Sequence, residues 1–262
     1  MAQPTTKDHA KVSVVFVTYD RLETLKPTVE SFLSLTNYPR DRLELIVSDD
    51  ASPSAVQREF EKLAVDRIVI GETRSGIGAN QNRGMAASTG EYILQIQDDW
   101  LCQGPPDYLS RALAALESRP EVGMVILNEH PMNLPVRTMT SVGGHVVRIY
   151  DNFPNKRIKI VGENAYTDWP HLKRREFHQK LGLYKEGVHM ATCELDFSRR
   201  VNLQQSYFIA DVVGLNVFKH IGAHLSYNTN TVPARIVKKL ERIPGGALAT
   251  RMLRSFAIFG RT

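Results

Sequence analysis

The 262-residue chain is poor in cysteine, with only Cys102 and Cys193, and has no apolar run near the roughly 18–20 residues that a membrane-spanning helix needs. Two cysteines offer neither a disulfide framework nor a CxxC metal knuckle, so a reducing compartment, the cytoplasm, is expected. The opening MAQPTTKDHAK has no apolar h-region, and residues 1–10 read as a flexible N-terminus, not a signal peptide. Also missing are a P-loop, a GxSxG elbow and an HExxH pair. Gly76-Ile77-Gly78 supplies GxG without a third glycine, and it follows the third predicted strand instead of the first. The turn after the first strand, Thr18-Tyr19-Asp20-Arg21, has no glycine to wrap a pyrophosphate closely. Dinucleotide binding is not expected. What remains is ordinary globular composition, 42% hydrophobic and 23% charged, which argues against disorder, collagen and repeat arrays.

Charge is unevenly spread. Residues 233–262 carry seven basic residues against one acid, Glu241, a net of +6; the whole chain is +5, so residues 1–232 sum to −1. Leu240, Ile243, Leu248, Met252, Leu253 and Phe256 are interleaved with those cations. Two readings stay open for this basic amphipathic tail: a peripheral contact with the inner face of a membrane, or a solvated helix on its own domain. The body has no basic stripe or aromatic RNP pattern, so no nucleic-acid partner is expected.

Lys11–Val17, Leu43–Val47, Arg67–Ile70, Glu91–Ile96 and Val122–Leu127 are short apolar runs that read as buried strands. Between them, Arg21–Leu35, the stretch from Ser52, Gly76–Ala87 and Pro106 to Glu117 have helical spacing. This alternation predicts an α/β fold with a mostly parallel, Rossmann-like central sheet and helices on both faces. After Asn128 the rhythm breaks. Residues 128–165 read as irregular, Trp169–Leu181 and Ala191–Leu203 as helices, and Tyr207–Val213 and Leu215–His220 as strands around Gly214. The expected organisation is a nucleotide-binding half over 11–127, a second half over 128–232 that carries acceptor contacts, and the tail.

Ligands of open parallel sheets bind beyond the carboxyl ends of the strands. Three predicted strands end in acids there: Asp20 after the first, Asp49-Asp50 after the second, Asp98-Asp99 after the fourth. Converging carboxylates repel unless a cation neutralises them, and hard oxygen ligands select Mg²⁺ or Mn²⁺ with phosphate oxygens completing the shell. A turn with Asx hydrogen bonds is the plainer reading of either acidic pair taken alone. Trp169-Pro170-His171 suits a sugar's apolar face and hydroxyls and reads equally as a core Trp at a helix start. The basic side chains of 128–165, among them Arg137, Arg148, Lys156 and Lys159, suit either a loop closing on a phosphorylated acceptor or a solvated insertion.

VSVVFVTYDR, LIVSDDAS, NRGMAASTGEYILQIQDDW, CELDFSRR and FKHIGAH occur in the order seen in inverting glycosyltransferases of family 2, and the chain resembles that family over roughly residues 11–226. The resemblance implies the GT-A fold, a nucleotide-sugar donor, Mg²⁺ or Mn²⁺, and a glycan or glycolipid acceptor. It places Thr18, Tyr19 and Arg21 at the nucleotide, Asp50 on a base or ribose edge, and Asn82 in the N-x-G of the preceding helix. The family's arginine before that asparagine is Gln81 here, which leaves Arg83 or Arg74 for the diphosphate. Asp98 and Asp99 match the DxD-type motif, with Asp99 as metal ligand and Asp98 toward the donor; Gln97 replaces the often acidic residue two before Asp99. His220 matches a frequent metal or phosphate contact, with His224 behind it. Cys193 stands for the first acid of the family's E-D-x-D segment, Glu194 for the catalytic base and Asp196 for the next acid, on the acceptor side with Trp169 and His171. The plainer reading of these acids, Asp196 above all, is a helix N-terminal carboxylate that complements the dipole and pairs with Arg199 or Arg200.

Two other functions remain open at this level. A sugar nucleotidyltransferase shares a related sheet but needs a Gly-rich basic loop after the first strand, which Thr18–Arg21 is not. A GT-A domain that binds without catalysis fits the departures at Gln81, Gln97 and Cys193.

Overall fold

The computed structural model describes residues 9–129, 135–151, 166–204 and 206–222. The chain divides into units 1–221 and 222–262, and of the second only Gly222 is described. The basic tail, His224, Lys156 and Lys159 therefore lie outside the described residues.

Strand β1 (Val12–Thr18) is buried along its whole length, as a β-branched run covered on both faces must be. Its alternate side chains go to opposite faces. Val14 and Phe16 join one apolar cluster with Phe32, Leu45, Leu94 and Tyr108, while Val15 and Val17 join a second with Met124, Phe177 and Phe197. Each fully buried side chain of this size contributes about 1.5–3 kcal/mol relative to exposure. Helix α1 (Leu22–Leu35) packs Leu25, Val29 and Phe32 on the first face. The rhythm continues with β2 (Leu43–Asp49), α2 (Ser54–Phe60), β3 (Arg67–Ile70), α3 (Ile77–Ala87) and β4 (Tyr92–Gln97), each close to its expected position. Gly84 lets α3 lie flat on β1: a Cβ there would stand 2.4 Å from Val15 Cγ1.

After β4 come β5 (Trp100–Cys102), α4 (Tyr108–Ser118) and β6 (Val122–Ile126). The stretch expected to be irregular contains a hairpin, β7 (Val136–Val142) and β8 (His145–Tyr150). Gly143 and Gly144, at φ +57° and +84°, form its two-residue turn, the left-handed pair that a twisted hairpin requires. The stretch expected to be one helix over Trp169–Leu181 splits into strand β9 (His171–Arg174) and a short helix α5 (Glu176–Leu181). Helix α6 (Met190–Gln204), β10 (Phe208–Val212) and β11 (Phe218–His220) follow.

The nine-stranded sheet has the order β3-β2-β1-β4-β9-β6-β10-β8-β7. β3, β2, β1 and β4 are mutually parallel; β9 enters antiparallel between β4 and β6, and β10 runs parallel to β6. The expected border at 127/128 thus divides one continuous sheet. β11 pairs separately with β5, setting His220 opposite Trp100. Among the described residues no helix is long and apolar enough to cross a membrane.

Candidate active site

The ends of β1, β2 and β4 bring the acids to one rim, where Asp49, Asp50, Asp98 and Asp99 have protein partners and Asp20 donates its backbone N–H to Ser52 Oγ at 2.7 Å. Asp49 is buried and spent locally: its carboxylate accepts from Ser52 N at 2.8 Å and from Ser52 Oγ, and burial raises its pKa. Asp50 accepts from Ser75 N at 2.9 Å and Gly76 N at 2.8 Å, which clamps the loop leading into α3. Lone pairs remain on both oxygens for a further donor. Asp98 accepts from Thr18 Oγ1 at 2.7 Å, and burial pushes its carboxyl up to about 7 against the pull of Arg21 and Thr18. Arg21 Nη1 reaches both Asp98 Oδ1 at 3.2 Å and Asp99 Oδ2 at 2.9 Å. The acids expected to need an external cation therefore already hold an internal one.

Whether a divalent ion could join them depends on what is left over. Asp99 Oδ1 is buried without a hydrogen-bond partner, while Asp99 Oδ2 lies 3.2 Å from His220 Nε2. The short β5–β11 pair is what delivers that imidazole, fixed further by Ile221 N donating to Asp99 O at 2.8 Å. One free carboxylate oxygen beside an imidazole suits Mn²⁺ or Mg²⁺ as a partial shell. Among the described residues no group of three or more His, Cys, Asp or Glu could hold a metal.

The same edge carries a second group of residues because of β9. His171, its first residue, pairs with Gln95 of β4 and Ile126 of β6, so the segment just before it runs out beside Asp98 and Asp99. The rings of Trp169 and Trp100 are 5.3 Å apart, and that of His220 is 5.0 Å from Trp100. Next to Trp169, Asp168 N donates to Glu194 Oε1 at 3.2 Å, from the first turns of α6. Burial pushes Glu194 up to about 7, with the neighbouring Asp168 charge adding to it. A carboxyl poised there exchanges protons near neutral pH, as a general base must.

Several residues expected at the site are engaged elsewhere. Asn82 Nδ2 donates to Tyr184 O and Glu186 Oε1, and its Oδ1 accepts from Tyr184 N at 2.9 Å; it ties α3 to residues 184–186 and has little left for a donor. Arg83 donates to Asp49 O at 2.9 Å and Asn80 Oδ1 at 3.0 Å, its guanidinium lying where a Cβ on Gly71 would fall. Arg74 is exposed, with its guanidinium 4.1 Å above the Tyr19 ring. His171 is wholly buried, Nδ1 against Trp169 O at 2.7 Å, because it is the first residue of a central strand and neither part of an open sugar wall nor at a helix start. Asp196 pairs with Arg200 at 2.9 Å one turn along α6. Arg148 is bound to the buried Asp211 at 2.6 Å.

Sequence reasoning missed Tyr166, Lys173 and Tyr184, which with Asp168, the acid before Trp169, form a buried polar group behind Glu194. Its signal was weak: Lys173 sits in HLKRREF, and a lysine is rarely fully buried.

The family model described as Glycosyl transferase family 2 matches residues 13–182. The putative glycosyltransferase EpsH of Bacillus subtilis is 31% identical over 121 residues, 45% of this chain and 33% of that protein. The glucosyl-dolichyl phosphate glucuronosyltransferase of Haloferax volcanii is 29% identical over 115 residues, 42% of this chain and 36% of that one. The matched stretch thus spans about a third of the length of these curated relatives. Among solved structures, residues 1–349 of S. aureus TarS with UDP-GlcNAc superpose with a TM-score of 0.59 at 17% identity, covering 88% of this chain and 64% of that one. The mannosyltransferase PcManGT of Pyrobaculum calidifontis with GDP-Man and Mn²⁺ gives 0.58 at 19%, covering 88% and 61%. The fold is the GT-A α/β fold.

Proposed function

The chain belongs to glycosyl transferase family 2, and we propose that it moves a sugar from a nucleotide-sugar donor to a hydroxyl of a glycan, glycolipid or similar acceptor, with inversion. One observation carries this reading: antiparallel β9 brings Asp168 and Glu194 to the sheet edge that holds Asp98 and Asp99. A charge-bearing rim for a diphosphate and a near-neutral carboxyl for an acceptor proton then share one edge. The nucleotide sugars bound to TarS and to PcManGT fit the donor class.

In this mechanism the donor nucleoside lies over Thr18, Tyr19 and Asp50, with Tyr19 and Arg74 as its stacking surface and Arg21 beside its phosphates. Glu194 takes the proton of the acceptor hydroxyl as that oxygen attacks the anomeric carbon; the new C–O bond forms and the bond to the nucleoside diphosphate breaks. Asp99 and His220 would hold a divalent ion together with diphosphate oxygens. When bound, it supplies positive charge to the departing phosphates. Trp169 offers an apolar face to a sugar ring. The reaction takes place in the cytoplasm, and the basic tail suits an acceptor carried on an anionic membrane.

A thermal-shift panel of nucleoside diphosphates and their sugars, each with and without Mn²⁺, tests the reading, since a ligand of the folded state raises the melting point. One donor should stabilise the protein and be consumed once an acceptor is supplied; Asp99→Asn should abolish the Mn²⁺-dependent part. Stabilisation without hydrolysis or transfer would favour a binding module. Release of pyrophosphate from a nucleoside triphosphate would favour a nucleotidyltransferase.

A further inference from the structure

Glu194 is backed by a buried row of polar side chains that the proposed transfer does not itself use. Asp168 accepts a hydrogen bond from Tyr166 OH. The Tyr166 and Tyr184 hydroxyls are 2.7 Å apart, and Lys173 Nζ donates to Tyr184 OH at 3.0 Å and to Gln95 Oε1 at 2.8 Å. With Asp168 ionised, Tyr166 gives its one proton to the carboxylate, so Tyr184 donates to Tyr166 and Lys173 to Tyr184. In that state the row runs one way, from an ammonium to a carboxylate; burial works against both charges, raising Asp168 and lowering Lys173 to about 7, and every member is buried.

Phe197 of α6 holds it in place, with ring centroids 4.7 Å from Tyr166 and 4.6 Å from Tyr184. A lone lysine or aspartate at this depth would be strongly unfavourable, and each is tolerated because the other is present. Glu194 joins through the Asp168 backbone N–H at 3.2 Å.

We propose that Asp168, linked to Lys173 through Tyr166 and Tyr184, is a positioning residue: its amide aims the Glu194 carboxylate and its negative charge makes that carboxylate a stronger proton acceptor. This rests on Glu194 being the base of the proposed transfer. Asp168 favours protonation of Glu194, and Lys173 helps to keep Asp168 ionised. Other groups around them are neutral or already paired. His171 on β9 and His178 on α5 are kept uncharged by burial, and burial raises the Cys193 thiol to about 12. Asp196 and Arg200 neutralise each other at 2.9 Å, Thr167 is uncharged, and Gln81 faces Asp168 from α3 as a neutral amide.

The test reads Glu194 directly. In protein labelled with [δ-¹³C]glutamate, the Glu194 carboxyl signal is the one lost in Glu194→Gln, and its titration midpoint is followed by NMR. Asp168→Asn should lower that midpoint by about one pH unit or more. Should that variant fail to fold, Tyr166→Phe, which keeps the ring, should lower the midpoint by weakening the ionised form of Asp168. A purely structural role predicts lower melting temperatures with the midpoint unmoved, and that result in the folded variants overturns the proposal. If the midpoint shifts while the acid limb of the transfer rate stays fixed, the link from Asp168 to Glu194 stands and the assignment of Glu194 as base fails.

Discussion

Arg21 Nη1 lies 2.9 Å from Asp99 Oδ2, both side chains almost out of water at 12% and 5% exposure. The contact joins the loop after β1 to the loop after β4 across the rim where a donor would bind. A buried ion pair is a modest stabiliser as a whole, but removing one partner leaves an uncompensated charge.

Replacing Arg21 by Met should therefore destabilise the protein by about 3 kcal/mol or more, because two buried carboxylates lose their shared cation. Urea denaturation measures this. Mn²⁺ with a nucleoside diphosphate should restore more stability to Arg21→Met than to the parent; equal gains would mean that the guanidinium and the ion do not serve the same charges.

Glu194→Gln should leave donor affinity within about twofold and lower transfer by roughly 10²–10⁴-fold, the range of a lost general base. In the parent, the acid limb of the transfer rate should fall near pH 7. The sign follows from the raised carboxyl, up to about 7: the base works only as the anion, so activity is lost as pH drops through that value. A limb near pH 4 would place the essential base elsewhere.

Gly84→Ala tests how closely α3 meets the sheet. Helix propensity alone favours alanine by about 1 kcal/mol. Here the added Cβ would stand 2.4 Å from Val15 Cγ1 and 3.1 Å from Ser48 Cβ, both in packed strands. Overpacking should win, with a net loss of about 1–3 kcal/mol by chemical denaturation. A gain in stability would show that α3 can move away from β1 at little cost.

Deleting residues 233–262 removes a net charge of +6. Binding to vesicles rich in anionic lipid should weaken, and the difference from the full chain should shrink as salt is raised. Vesicle co-sedimentation across a salt series checks this. Equal binding by both chains would assign the tail no membrane role.

The outcome differs along the chain for physical reasons. β1 to β4 and β6 were legible because a buried parallel strand is a continuous apolar run and its crossover helix has a 3.6-residue stripe, both local patterns. The three-residue β5, paired antiparallel with β11, was not. The β7–β8 hairpin was also written locally, in alternating β-branched residues about Gly143-Gly144, but its exposed outer strand lacks an apolar run. β9 was not legible: HLKR carries two cations and is only four residues long, yet Lys173 is buried by pairing. Placing Asp50, Asp98 and Asp99 beyond strand ends needed only the order of elements. Their partners Ser75, Gly76 and Arg21 depended on how the loops meet.

By itself, then, the sequence determined the parallel βα framework and the rim on which its acids stand, since periodicity and strand-terminal position act over a few residues. Only the tertiary structure decided that β9 slots between β4 and β6, that Glu194 meets Asp168, and that Lys173 lies buried behind them. Those contacts depend on strand pairing and desolvation between distant segments, and no local pattern encodes which buried charge will find which partner.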